Sequence, residues 1–152
     1  MRIALYEPEI AGNVGAVLRL GACLGVPVDL IEPMGFAWDD ARVRRTAMDY
    51  IDHVSVTRHK GFAAFRETIG EARLILLTTK TENSLYDTTF EPADILLFGR
   101  ESAGVPVEVA SACGLKLKIP TVPGVRSLNL AMAAGIAASE VLRQLRSAPI
   151  SA

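Results

Sequence analysis

The chain has 152 residues, 50% of them hydrophobic and 22% charged. That suffices for one globular domain with a real core; it is too apolar for a disordered chain and too short for a two-domain enzyme with a hinged cleft. The net charge of −1 argues against a partner held mainly by phosphate neutralisation.

Ile3 to Tyr6 reads as a short buried strand, cut off by Glu7 too early for a signal-peptide hydrophobic region. Asn13 can cap a helix running to about Cys23, with Gly25 placed to end it and Val17, Leu18, Leu20, Ala22 and Leu24 as its apolar stripe. Val26 to Ile31 is a second strand. A loop with Pro33, Gly35, Phe36 and Trp38 precedes a basic helix from about Asp40 to Met48. His53 to Thr57 alternates like a strand, Phe62 to Thr68 is helical, and Leu74 to Thr78 is a strongly apolar strand. A strand at Ile95 to Phe98, a Gly-rich turn, a helix near Val105 to Cys113 and a strand at Leu115 to Ile119 repeat the pattern. The loop from Pro120 to Arg126 leads into a long helix from about Leu128 to Arg146. Strands apolar on both faces that alternate with helices predict an α/β fold, a mostly parallel sheet flanked by helices.

The last helix is nearly apolar all round as far as Ser139, so it needs cover on every side; in a chain this small a second copy supplies it, and a homodimer is expected. Its most apolar stretch, Leu128 to Ala138, is about half a membrane span, so the protein is expected to be cytoplasmic with no membrane partner. Cys23 and Cys113 lie far apart without CxxC and read as buried, reduced thiols; no metal is expected. His53 and His59 fall away from the polar loops and read as surface or structural residues. Charge is segregated. Leu115 to Arg146 carries five basic residues against Glu140, Arg42, Arg44 and Arg45 form a basic run, and residues 82 to 101 hold five acids against Arg100.

In open α/β sheets ligands bind beyond the carboxyl ends of strands. Three small, polar clusters fall there: Glu7 to Gly15 followed by Arg19, Gly99 to Pro106, and Pro120 to Asn129. Gly12 and Gly15 do not make GxGxxG, and Glu7 and Glu9 stand where a pyrophosphate would want neither. GxxxxGK[ST], GxSxG and HExxH are all missing, so P-loop, serine-hydrolase and zinc-protease readings lack support.

Together the clusters resemble the SPOUT superfamily of knotted RNA methyltransferases. The residues that carry the likeness are Asn13-Val14-Gly15 with Arg19, Phe98-Gly99-Arg100-Glu101-Ser102-Ala103-Gly104-Val105-Pro106, and Ser127-Leu128-Asn129-Leu130-Ala131. Leu5 to Ile10, Ile31 to Asp40, Asp49-Tyr50, Thr57-Arg58-His59 and Leu77 to Lys80 are similar to the small tRNA wobble cytidine/uridine 2'-O-methyltransferases within it. The resemblance implies one domain over residues 1–152 with a deep C-terminal trefoil knot at about 95–146, which sequence physics alone would reject. It implies S-adenosylmethionine as methyl donor, S-adenosylhomocysteine as product, and tRNA position 34 as substrate. Cofactor contacts carry over to Leu77, Thr78, Gly99, Glu101, Ile119, Ser127 and Leu128. Arg19 is carried over as the catalytic residue, with Asn13, Glu101, Ser127 and Asn129 around it, in a dimer with the active site near its interface.

A sulfonium methyl is already activated, so the remaining tasks are to align a ribose hydroxyl and manage its proton. Arginine keeps its proton too firmly to serve as a base, which makes Arg19 an electrostatic clamp on the phosphate and hydroxyl oxygen, with that phosphate a candidate proton acceptor. Arg42, Arg44, Arg45, Arg58, Lys60, Lys118 and Arg126 are candidates for holding RNA across a dimer; Trp38 or Phe36 could stack on a base or pack beneath the loop. Ala131 stands where many relatives have Ser, and Arg100 where they often have Pro, placing a cation near the cofactor or RNA entrance. Methylation of another tRNA or rRNA nucleotide, and a catalytically silent RNA-binding or assembly dimer, are the competing functions.

Overall fold

Short runs of three to five residues become strands, two of them (Leu74–Leu77 and Ile95–Phe98) wholly apolar, and the segments between them supply helices to both faces of one sheet. The computed structural model describes residues 1–39 and 53–147. In chain order these hold β1 (Arg2–Tyr6), α1 (Ala11–Leu24), β2 (Val28–Ile31), β3 (Val56–His59), α2 (Phe62–Ile69), β4 (Leu74–Leu77), a 3-10 turn (Leu85–Asp87), β5 (Ile95–Phe98), α3 (Val107–Ser111), β6 (Leu115–Leu117) and α4 (Leu130–Ser147). The sheet order is β3-β2-β1-β5-β4-β6, and every pairing is parallel.

Alternation along each strand divides the core. Ile3, Leu5, Val28, Leu30, Ile75, Leu96 and Phe98 face α1 and α4, where they meet Val14, Val17, Leu18, Ala134, Ala137 and Val141. Ala4, Tyr6, Ile31, Leu74, Leu76, Ile95 and Leu97 face the other way, onto Phe65 of α2 and Val109 of α3. Each fully buried Leu or Ile contributes about 1.5–3 kcal/mol. Ala134, Ala137 and Ala138 let α4 pack closely, so the small residues of its sequence serve the intramolecular core on that side.

Several boundaries move. α1 begins at Ala11, with Ile10 in the N-cap position, so Asn13 is a buried first-turn residue and does not cap the helix. Gly25 does end it, in the left-handed conformation at φ 68°. The expected strand at His53 to Thr57 forms later, as β3, and α3 is shorter than its pattern. Cys113 is buried, where desolvation pushes its thiol up to about 11, but Cys23 is exposed because it lies on the solvent stripe of α1 with Gly12, Ala16 and Arg19. The expected helix from Asp40 to Met48, with Arg42, Arg44 and Arg45, and the Asp49-Tyr50 pair lie outside the described residues.

Two buried carboxylates tie strands together. Asp29 accepts from Arg2 Nε at 2.7 Å and Nη2 at 2.9 Å and is bonded to His59 Nε2 at 2.8 Å. Asp94 holds Arg73 through Nε at 2.7 Å and Nη2 at 2.6 Å. The expectation that His59 is structural holds; His53 is exposed.

Glu140 orients Gln144, which links the last helix to the segment before β5. It accepts from Arg143 Nε and Nη2 and from Gln144 Nε2, all at 2.8 Å, while Gln144 also bonds Thr88 O and Phe90 N. Arg143 first, then Gln144, depress its pKa from 4.5 to about 2. A carboxyl depressed in the fold stabilises it above the unfolded value and loses that contribution as pH falls through the folded value. Acid unfolding followed by circular dichroism is expected to show stability declining from about pH 4.5 to 2. Glu140→Gln should flatten the decline over that window.

Candidate active site

The chain runs outward from β1 to β3 and then returns to place β5 on the other side of β1, so the carboxyl ends of β1 and β5 meet at a topological switch point. The segment after β1 carries Glu7 to Asn13; the turn after β5 carries Gly99 to Gly104. Arg100 and Gly104 close that turn by exchanging backbone hydrogen bonds at 3.0 and 2.9 Å. Gly104 has φ +70°, and a Cβ on Gly99 would lie 2.5 Å from the Gly104 carbonyl carbon, so both positions require glycine.

That turn projects Glu101 at the start of α1. Its Oε2 accepts from Glu9 N at 2.8 Å, and its Oε1 from Ile10 N at 3.3 Å and Asn13 Nδ2 at 2.9 Å. A carboxylate beside a helix N-terminus is electrostatically favoured, and here it satisfies amides that Asn13 does not. Asn13 Oδ1 in turn accepts from Asn129 Nδ2 at 2.9 Å. Asn129 Oδ1 caps α4, accepting from Ala131 N at 2.9 Å and Met132 N at 3.3 Å. One chain of hydrogen bonds therefore joins three of the expected site residues, from three separate segments, to the starts of two helices.

Two further pairs lock the same loops. Ser102 donates to Glu9 through its hydroxyl at 2.7 Å and its amide at 2.8 Å, which hold the Glu9 carboxyl below its ordinary value. Arg100 Nη2 lies 2.9 Å from Glu7 Oε2, and its guanidinium sits 5.6 Å from the centre of the Tyr6 ring. The Tyr6 hydrogen bond, followed by the Glu7 charge, raises its pKa. Glu7 itself holds φ 45°, a left-handed conformation uncommon outside glycine. The structure thus ties Arg100 to β1 and the first loop. The sequence places Glu7, Glu9 and Ser102 in the loop clusters but assigns them no role, because their pairing joins segments more than ninety positions apart.

The expected cofactor residues fall on the same sheet edge. Leu77 ends β4, Gly99 follows β5 and Ile119 follows β6, three adjacent strands. Thr78 N donates to Leu117 O at 2.8 Å and joins the β4 and β6 ends. Residues 121–129 are exposed, and within 121–128 no backbone-to-backbone hydrogen bond occurs among the described residues. Such a loop, bearing Ser127 and exposed Leu128 and Val125, keeps amides and carbonyls available for a planar heterocycle and a ribose. These residues fit a nucleoside cofactor.

Arg19 lies on the exposed stripe of α1, on the same helix as Asn13. Beside it Leu20 borders a groove of about 560 Å³ between α1 and α4, shared with Met132, Gly135 and Ile136. The described RNA candidates are spread across the sheet. Arg58 lies at the β3 edge, paired with Glu32; Lys118 follows β6 at the opposite edge, paired with Glu82 at 2.7 Å; Arg126 is exposed on the loop before α4. With five interstrand spacings of about 4.8 Å, the two edges are roughly 24 Å apart. Among the described residues no group of three or more His, Cys, Asp and Glu could hold a metal ion.

Comparison with known proteins places this geometry. Residues 1–139 match the SpoU rRNA Methylase family. The chain is 50% identical over 145 residues to a tRNA (cytidine(34)-2'-O)-methyltransferase of Beijerinckia indica, covering 94% of this chain and 91% of that one. A solved structure described as "Structural insights into the 2-OH methylation of C/U34 on tRNA" superposes with TM-score 0.91 at 45% identity over 95% of each chain. An AdoMet-bound rRNA methyltransferase from Sinorhizobium meliloti shares the fold, with TM-score 0.85 at 24% identity, over 95% of this chain and 56% of that one. With the switch-point loops, the parallel sheet and a match over most of its length, the chain belongs to the SpoU rRNA Methylase family.

Proposed function

We propose that this protein transfers the methyl group of S-adenosylmethionine to the 2'-hydroxyl of the wobble nucleotide of tRNA, cytidine or uridine 34, and releases S-adenosylhomocysteine. The observation that carries this reading is the hydrogen-bonded chain of Glu101, Asn13 and Asn129 at the β1 and β5 ends, beside the open 121–129 loop, in a member of a methylase family.

When bound, S-adenosylmethionine supplies a methyl group already activated by its sulfonium charge. Leu77, Thr78, Gly99, Ile119, Ser127 and Leu128 would hold it, largely through backbone groups. Glu101 and Asn13 fix the first and second loops, and Asn129 ties both to α4. Arg19 orients the RNA phosphate and the attacking oxygen, and that phosphate takes the hydroxyl proton.

Arg100 is a positioning residue for this arrangement, acting through Glu7 and Tyr6. Arg100→Ala is expected to lower kcat/KM by about tenfold to 10²-fold, mostly in kcat, because small displacements of a positioned group cost that much. Arg100→Lys keeps the Glu7 charge pair and should recover part of the loss, as read in steady-state methyl transfer.

The active form is a homodimer whose interface covers the α1 and α4 groove, where Met132 is 60% exposed. Arg19 then sits at its rim, and tRNA is gripped by basic residues from both copies. Met132→Glu should yield monomers in light scattering. The 95–146 segment forms the deep trefoil knot of this single domain. The protein works in the cytoplasm with its tRNA; no described helix is long and apolar enough to cross a membrane.

The test is incubation with labelled S-adenosylmethionine and total tRNA, then mapping by nuclease digestion. Label on the ribose of nucleotide 34 is expected. Label on a base, or on a ribose elsewhere, overturns the substrate.

A further inference from the structure

A second concavity, of about 380 Å³, opens at the carboxyl ends of β2 and β3. Phe36 and Trp38 line it, and both are half-buried against the core. The Arg58 guanidinium lies 5.0 Å from the centre of the Trp38 ring, and its Nε donates to Glu32 Oε1 at 2.9 Å. Lys60, exposed, completes the rim.

The loop that builds this pocket is seated on the candidate active site. Gly35 N donates to Pro8 O at 2.9 Å, and a Cβ on Gly35 would come within 2.8 Å of Glu9 Cα. Glu32 N donates to His59 O at 2.9 Å, which fixes the other end. The pocket is therefore held beside the segment that carries Glu9 and Asn13.

We propose that this pocket receives one unpaired nucleotide of the substrate RNA other than the one methylated. This rests on the RNA-methylation reading. Aromatic walls suit the flat faces of a base. The Glu32 oxygen that Arg58 does not engage accepts from the donor edge of that base. Arg58 and Lys60 outweigh the single carboxylate, which suits a phosphate. An acidic peptide would use the cations but leave the rings idle, whereas a nucleotide uses all three features.

The test uses anticodon stem-loops in which each loop nucleotide except 34 is replaced in turn by an abasic ribose. RNA binding by fluorescence anisotropy and methyl transfer are both measured, with wild type, Trp38→Leu and Lys60→Ala. One abasic position should weaken wild-type binding about tenfold. Trp38→Leu should bind intact RNA as weakly and be indifferent to that abasic position. Lys60→Ala, at an exposed side chain, should lower the slope of log affinity against log salt by about 0.7, one single-strand phosphate contact. Calorimetric affinity for S-adenosylmethionine should not change. Additive losses from Trp38→Leu and every abasic position, or an unchanged salt slope in Lys60→Ala, overturn the pocket. Binding alone decides that outcome; if wild type leaves nucleotide 34 unlabelled in every stem-loop, the functional reading fails instead.

Discussion

Arg19→Ala is expected to cut methyl transfer by about 10²- to 10³-fold, the scale seen when a preorganised donor to a developing oxyanion is removed. Its melting temperature should stay near wild type, because Arg19 lies on the exposed stripe of α1 and contributes nothing to the buried core. Arg19→Lys separates charge from shape. Lysine keeps the cation but offers a point charge in place of a planar fork, so it should recover only a minor part of the rate. Single-turnover rates with saturating RNA read the chemical step directly, and circular dichroism checks the fold. A near-normal rate for Arg19→Lys would remove the fork from the mechanism; a near-normal rate for Arg19→Ala would remove Arg19 from it.

Glu101→Gln should damage stability and activity together, for a reason visible in its contacts. Three donors converge on its carboxylate: the amides of Glu9 and Ile10 and the side chain of Asn13. A glutamine has one accepting oxygen, so either orientation turns an NH₂ group toward a donor. Loss of hydrogen bonds to a charged group costs about 1.5–3 kcal/mol, which for a chain of this size lowers the melting temperature by roughly 3–12 °C. Methyl transfer should fall by at least about 10²-fold, because the loops that position cofactor and ribose lose their common anchor. Asn13→Ala breaks the same chain at its middle link, so the double variant should lose much less than the sum of the two. Additive losses would show that Glu101 and Asn13 act separately.

The local parts of this architecture were legible in the residues. Ile95 to Phe98 forms β5 at the expected bounds, and Phe62 to Thr68 forms α2 to within one residue. Buried parallel strands are continuous apolar runs, a pattern that needs no knowledge of partners. Gly25 ends α1 as expected, because a left-handed C-cap is a property of one residue. The motif clusters were readable too, since glycines and amides at strand ends stand out against propensity.

Strand order was not legible. That β5 lies beside β1 follows from long-range packing, and only this adjacency brings Glu101 to Asn13, 88 positions away, and Asn129 to Asn13, 116 positions away. For the same reason Asn13, a plausible cap by its type, works as a bridge instead: the folded chain offers Glu101 for the helix amides. Arg100 reads as a cation near the cofactor or RNA entrance, and only the fold shows its contacts with Tyr6 and Glu7. Residue type and period therefore determined the strands, the helices and the chemical inventory, because those signals are local. The tertiary structure decided which groups meet, because contact between distant segments depends on the order of the strands in the sheet.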